Sequence, residues 1–423
     1  WINENCKNKK ILNLFSYSCS FSVVAAKNAA AIINIDMNKN ILSLLSLTAI
    51  ICLSASSGAY SETRPVPVDK FGIVEKIDAR PGAHWLWVYD TNFISFSDGR
   101  AHLIDGDSGH YFGSLNTGYV HAKFVLPSHY KEIYSAETYY SRHVGGTRTD
   151  MVRIYDPVKL SLIDEIPIPN KRATVIPRTT NNALSEDNRF MAVSNLTPAT
   201  SVSIVDLQTR KFVGEIELPG CTLAIPAGGL RFFSLCSDGS ALTFTLDKQG
   251  KLAEKKRSKP FFSVDKDPIL ENAVRFGNEW LFPSVEGMIY GVDVSGEELV
   301  FAKPWSLLNE KDRKENWRTG GMQQIAVNQS HHLLYSIMHQ GPAETYEHPG
   351  PEIWVYDLKT KKRILRIVTE RIAVSIHVSP DASPLLFSLP DNEATLDIYD
   401  GLSGKHLRTV SEMGVTPFLM ETP

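Results

Sequence analysis

The chain has 423 residues, 43% of them apolar, and a formal charge of -3, so it can bury a large core but carries no basic field. Binding to nucleic acid by phosphate neutralisation is disfavoured, because that mode needs clustered Lys and Arg. Length alone would fit more than one domain, but large β architectures commonly run as one.

Residues 1–36 precede Met37, and residue 1 is Trp, so this stretch reads as upstream sequence outside the fold. Met37-Asn38-Lys39-Asn40, the apolar run Ile41 to Leu53, and Ser57, Gly58 and Ala59 supply the n-, h- and c-regions of a secretory signal over 37–61. Cleavage is expected after Ala59 or Ser61. The apolar run is short of the roughly 20 residues that span a bilayer, so no membrane contact is expected after cleavage. Residues 62–80, with Pro65 and Pro67, read as an extended arm, and 81–423 as one domain.

In that domain one phrase recurs: an apolar β-rich run closed by Asp, then a polar turn, then a second alternating run. Its copies end at Asp105, Asp156, Asp206, Asp247, Asp293, Asp357 and Asp400, at spacings of 51, 50, 41, 46, 64 and 43 residues. A unit of this length without helical period is the mark of a propeller blade. One such sheet cannot bury both faces alone, so the copies predict an all-β, seven-bladed β-propeller. Each Asp is expected to accept backbone N–H bonds in its turn rather than to act on a substrate.

The first strands are expected at His84 to Tyr89 and Phe93 to Ser97, with a turn at Asp98-Gly99 before Ala101 to Asp105. Ser306 to Asn316 predicts the one helix, with Ser306 as N-cap, as an insertion that explains the longest spacing. Ring closure is expected to need an N-terminal strand that completes the last blade.

Cys6, Cys19 and Cys52 precede the cleavage point, leaving Cys221 and Cys236 in the mature chain. In an exported protein this pair reads as a disulfide, with two buried thiols as the alternative. Gly106-Asp107-Ser108-Gly109 resembles a protease nucleophile loop but occupies the same place in its repeat as Ser403-Gly404, so it reads as a turn. His331, His332, His339 and His348 lack metal-ligand spacing, and Asp265, Asp267 and Glu271 read as a solvated face. No nucleophile, base or cofactor motif stands out, and no catalytic residue is expected.

Several segments resemble the large subunit of the tryptophan tryptophylquinone amine dehydrogenases, aromatic amine dehydrogenase more closely than methylamine dehydrogenase. They are Pro198-Ala199-Thr200-Ser201 leading into VSIVD, Cys221 with Cys236, Phe262-Ser263-Val264 through Asp267-Pro268-Ile269, Pro304 to Asn309, Asn316-Trp317 with Gly320-Gly321, and Glu352 to Val355 through Asp357 with Lys359-Thr360-Lys361. The loop Arg142 to Asp150 keeps Arg142, Gly146, Arg148 and Asp150 of the family pattern but has Gly145 where a basic residue is usual.

The resemblance implies a periplasmic scaffold subunit with no cofactor of its own. The tryptophan tryptophylquinone would lie in a separate small subunit, in a complex of two large and two small chains. A primary amine would be oxidised there to an aldehyde and ammonia, and electrons would pass to a copper protein such as azurin or amicyanin. Phe93, in DTNFISF, matches the family phenylalanine that lines the channel to the quinone. The competing expectation is a free-standing periplasmic propeller that acts on or senses a ligand. Converging carboxylates or His at the blade mouths would favour that alternative, and an apolar patch around Phe93 would favour the scaffold.

Overall fold

The computed structural model describes residues 76–423 apart from 121, 122, 175 and 176, together with a short parallel pairing of Lys10–Asn13 with Ala31–Asn34. The expected signal segment 37–61 and the arm before residue 76 lie outside the described residues.

From Trp85 onward the chain forms antiparallel sheets that meander in sequence order. Trp85–Asp90, Gly99–Asp105 and Tyr111–Gly118 make the first sheet, and Ile133–Arg142, Gly145–Asp156 and Ser161–Ile168 the second. Four-stranded sheets follow from Asn182–Leu184 to Lys211–Glu217 and from Cys221–Pro226 to Leu252–Arg257. A five-stranded sheet runs from Val274–Phe276 to Trp305–Ser306, and an eight-stranded one from Trp317–Thr319 to His406–Ser411.

The core lies between sheets. One apolar cluster joins Trp87 and Leu103 of the first sheet to Ile133 and Tyr155 of the second. Another joins Phe190 and Ile204 to Phe232 and Phe244 of the next sheet, and a third joins Phe233 to Phe282 and Val292. Leu86 and Val88 meet Phe387 and Ile398, so the first sheet also packs against the last strands. Middle strands are therefore covered on both faces, which is why Trp85–Asp90 and Ser201–Asp206 are buried throughout instead of alternating. Outermost strands such as Leu252–Arg257 are exposed along their whole length. This is an all-β propeller.

The expectation of seven four-stranded blades is corrected. Among the described residues there are five blades of four or more strands and one three-stranded sheet. Two causes account for the difference. The repeats ending at Asp357 and Asp400 share one sheet, because Lys362–Val378 runs as a single 17-residue strand that pairs with both Gly350–Asp357 and Leu385–Pro390. The repeat ending at Asp156 has three strands, with only an isolated bridge, Val125 to Tyr134, at its inner edge.

Closure is also reversed from expectation. The C-terminal strand Pro417–Glu421 pairs antiparallel with Trp85–Asp90, so the end of the chain completes the first sheet. Gln323 anchors this strand from the side, donating to the Met420 carbonyl at 3.0 Å and accepting its N–H at 2.9 Å.

All seven repeat Asp residues accept a backbone N–H within their turn, for example Val158 to Asp156 at 2.8 Å and Ser403 to Asp400 at 2.7 Å. Ser108 donates to Asp105 at 2.5 Å as Ser403 does to Asp400 at 2.7 Å, so the Gly106–Gly109 segment is a turn. The helix is shorter than expected, Glu310–Lys314, and Asn309 caps it. Asn309 takes the Asp312 N–H and Asp312 returns a carboxylate to the Asn309 N–H, a reciprocal box unavailable to Ser306.

Candidate functional site

The Phe93 segment is not a strand. Trp85–Asp90 ends at Asp90, Gly99 already belongs to the next strand, and residues 91–98 form the loop between them. Asx turns override the alternating pattern of DTNFISF. The Asp90 carboxylate accepts the Asn92 N–H at 2.9 Å, and the Asn92 side chain accepts the Ser95 N–H at 3.0 Å. Asn92 sits at φ +50°, a left-handed conformation that Asn tolerates better than most residues.

This winding turns three large side chains outward: Phe93 is 39% exposed, Ile94 82% and Phe96 38%. Their positions are set by ring contacts. Phe93 meets Phe418 edge-on at 5.0 Å and Phe96 at 5.9 Å, and Phe96 meets Tyr119 at 5.9 Å. Tyr119 in turn meets Tyr140 at 5.2 Å. Beside these rings lies a cavity of about 450 Å³ lined by Ser95, Ser97, Tyr119, Tyr140 and His143. The loop is thus an apolar projection at one end of the sheets, flanked by a polar-edged recess.

A buried ionic lattice fixes the Tyr119 side. Arg172 is buried and donates to the Tyr119 carbonyl at 2.7 Å and to Thr138 at 2.9 Å. Thr138 donates to Asp150 at 2.7 Å, and Asp150 pairs with Arg148 through both oxygens at 2.8 and 2.7 Å. Burial pushes the Arg172 guanidinium down to about 10, with Asp150 opposing, so it stays charged at neutral pH. Arg148 and Asp150, which the sequence resemblance singles out, therefore work inside the fold, while a Cβ at Gly145 would meet nothing within 4 Å.

Other grouped residues do not converge into a reactive centre. Glu137 is buried, and desolvation raises its pKa, against hydrogen bonds from groups that include Tyr139 at 2.5 Å and Tyr155 at 2.8 Å. At the inner strands, a cavity of about 380 Å³ is lined by Lys123, Glu186, Arg275 and Glu421, and Lys123 pairs with Glu421 at 2.5 Å. His339 lies 6.2 Å from His348, ring to ring, and burial lowers His339 to about 4. Asp267 accepts from Glu286 N–H and Tyr290, and Glu271 pairs with Arg178 at 2.9 Å. Among the described residues no group of three or more His, Cys, Asp or Glu is placed to hold a metal ion.

Cys221 and Cys236 are disulfide-bonded across facing positions of Cys221–Pro226 and Arg231–Cys236. They line an apolar groove of about 570 Å³ together with Leu223, Leu235, Phe262 and Ile269. Sequence reasoning missed Arg172, and also Asp90, Thr416 and Phe418 as neighbours of Phe93. The Asx pattern of Asp90 and Asn92 was a readable signal for the loop. The contacts from residues near 416 were not readable, because closure brings them in from the far end of the chain.

The fold and site define a propeller that presents a fixed aromatic loop. The family model for the methylamine dehydrogenase heavy chain (MADH) matches residues 82–423. The chain belongs to this family. It is 28% identical over 391 residues to the methylamine dehydrogenase heavy chain of Methylobacillus flagellatus, covering 89% of this chain and 96% of that one. It is 30% identical over 343 residues to that of Methylorubrum extorquens, covering 80% and 83%. Among solved structures it is similar to the β-propeller domain of Cps50 (Swd1) from Myceliophteria thermophila, with TM-score 0.53 and 11% identity over 78% of this chain and 99% of that one. It is also similar to the dihydro-heme d1 dehydrogenase NirN, with TM-score 0.51 and 14% identity over 84% and 78%. At those identities the likeness concerns the fold alone.

Proposed function

We propose that this chain is the scaffold subunit of a periplasmic quinoprotein amine dehydrogenase, which holds a small subunit bearing tryptophan tryptophylquinone. The observation that carries this reading is the exposed Phe93–Ile94–Phe96 loop in a chain of the heavy-chain family. An apolar projection of this kind, fixed at its base and open at its tip, suits burial against a partner. Phe93 then borders the path by which a primary amine reaches the quinone, and its ring selects among amines by shape. Bond chemistry belongs to the small subunit: the amine becomes an aldehyde and ammonia, and electrons leave to a copper protein such as azurin or amicyanin.

The test is co-purification of this chain from its native source. A quinone chromophore travelling with it, bleached by a primary amine and restored by an oxidised copper protein, is the expected outcome. Amine oxidation by this chain in the absence of any small subunit would overturn the reading in favour of a free-standing enzyme.

A further inference from the structure

Phe93 owes its position to a residue that the resemblance does not mark. Asp90 ends the first strand of the domain, is 2% exposed, and distributes its carboxylate over two segments. One oxygen accepts the N–H of Asn92 and of Thr416, each at 2.9 Å, and the other accepts the N–H of Val415 at 2.6 Å. Thr416 then passes the constraint on: its hydroxyl oxygen accepts the Phe93 N–H at 2.8 Å. The Phe93 ring rests on Phe418, two residues further along the same returning segment.

We infer that Asp90 and Thr416 are positioning residues for Phe93 and thereby set the selectivity of the amine channel, an inference that rests on the function proposed above. Three backbone donors converge on one buried carboxylate, which fixes the segment around Thr416 relative to the start of the Phe93 loop. An ionised acceptor holds such donors more firmly than a neutral one. Gly414, at φ +93°, allows the segment to pass directly over this carboxylate, where any Cβ would collide with it. The backbone of Phe93 is thus held by Thr416 and its ring by Phe418, so the exposed tip is a placed group and not a loose one. The ring selects by shape only while this hold persists, because a bulky or a slender amine is distinguished by where the ring edge lies.

The experiment uses the assembled complex of large and small subunits and reads the ratio of kcat/KM for a bulky aromatic amine to that for a small aliphatic amine. The variants are Phe93→Ala, Asp90→Asn, Thr416→Val and Thr416→Ser. Phe93→Ala should shift the ratio about tenfold, the scale expected when apolar contacts in a pocket are removed. Thr416→Val and Asp90→Asn should shift it in the same direction by about threefold or more, and Thr416→Ser, which keeps the acceptor, should restore the parent ratio to within about twofold. In the Phe93→Ala background, Thr416→Val should add nothing further. Should Asp90→Asn fail to assemble, the Thr416 pair decides alone. A shift with Phe93→Ala but none with Thr416→Val would overturn the positioning role and leave the channel reading intact. No shift with Phe93→Ala would overturn the channel reading, and this inference with it.

Discussion

Arg148 and Asp150 stand two residues apart on one strand and pair through both carboxylate oxygens, at 2.8 and 2.7 Å, with Asp150 wholly buried. The pair also holds its surroundings. Asp150 accepts the Arg172 N–H at 2.8 Å, and Arg148 donates to the Arg172 carbonyl at 2.7 Å. Replacing Asp150 with Ala would leave Arg148 without its carboxylate partner and remove the larger of the two carboxylate charges, Asp150 and Glu137, that act on the buried Arg172. The expected cost is roughly 3 kcal/mol, the range found when one partner of a buried ion pair is removed. Denaturant unfolding of Asp150→Ala against the parent chain checks this, and a midpoint unchanged within error would contradict it.

The Cys221–Cys236 bond closes a loop of sequence separation 15 between neighbouring strands. In the chain-entropy view its main effect is on the unfolded chain, and a loop of this size corresponds to roughly 3 kcal/mol. Cys221→Ser with Cys236→Ser should therefore lower the unfolding free energy by about 2–4 kcal/mol. Dithiothreitol should destabilise the parent chain by a similar amount and leave the double variant unaffected. Equal sensitivity of both to reductant would show that the bond is not the cause.

How far this structure could be read beforehand follows from the range of each contact. The seven Asp turns were legible because an Asx turn is closed by residues two or three positions away. The fusion of two repeats into one sheet was hidden in the count of Asp residues. It is visible only in KRILRIVTERIAVSIHV, which contains no Gly, Pro, Asn or Asp to break the strand. Ser306 and Asn309 are both capping residues, and the choice between them depends on Asp312 three positions after Asn309. The Phe93 loop was half legible. Its local turns could be read from Asp90 and Asn92, but its restraint by Thr416 spans 323 residues and exists only once the C-terminal strand has closed the first sheet.

Gly414 offers a separate test of that closure. Its φ of +93° is a region that L side chains rarely adopt, and a Cβ there would meet the Asp90 carboxylate. Gly414→Ala should combine backbone strain with displacement of a buried acceptor, a loss of roughly 1–3 kcal/mol. Gly229→Ala is the matched control: its φ is +56°, but nothing lies within 4 Å of the added Cβ. It should cost only the backbone part, about 1 kcal/mol. Thermal unfolding of both variants decides, and equal losses would mean that the Asp90 contact is irrelevant.

His84 links the two ends of the ring in a pH-dependent way. Its Nδ1 lies 2.8 Å from both oxygens of Asp107, and its Nε2 lies 3.3 Å from Asp381 and 3.1 Å from the Ser383 carbonyl. A neutral imidazole has one N–H and can serve one side, whereas the protonated ring donates to both. Burial alone would lower the His84 pKa, but the hydrogen bond and charge of Asp107, followed by those of Asp381, raise it above 6.5. A His raised in the folded state contributes stability that is full below its unfolded value, about 6.5, and fades as pH rises through the folded value. The advantage of the parent chain over His84→Gln should therefore be larger at about pH 6 than at about pH 8, both well above the carboxylate range. Paired denaturant unfolding at these two pH values checks the sign, and an advantage that grows with pH would contradict the clamp.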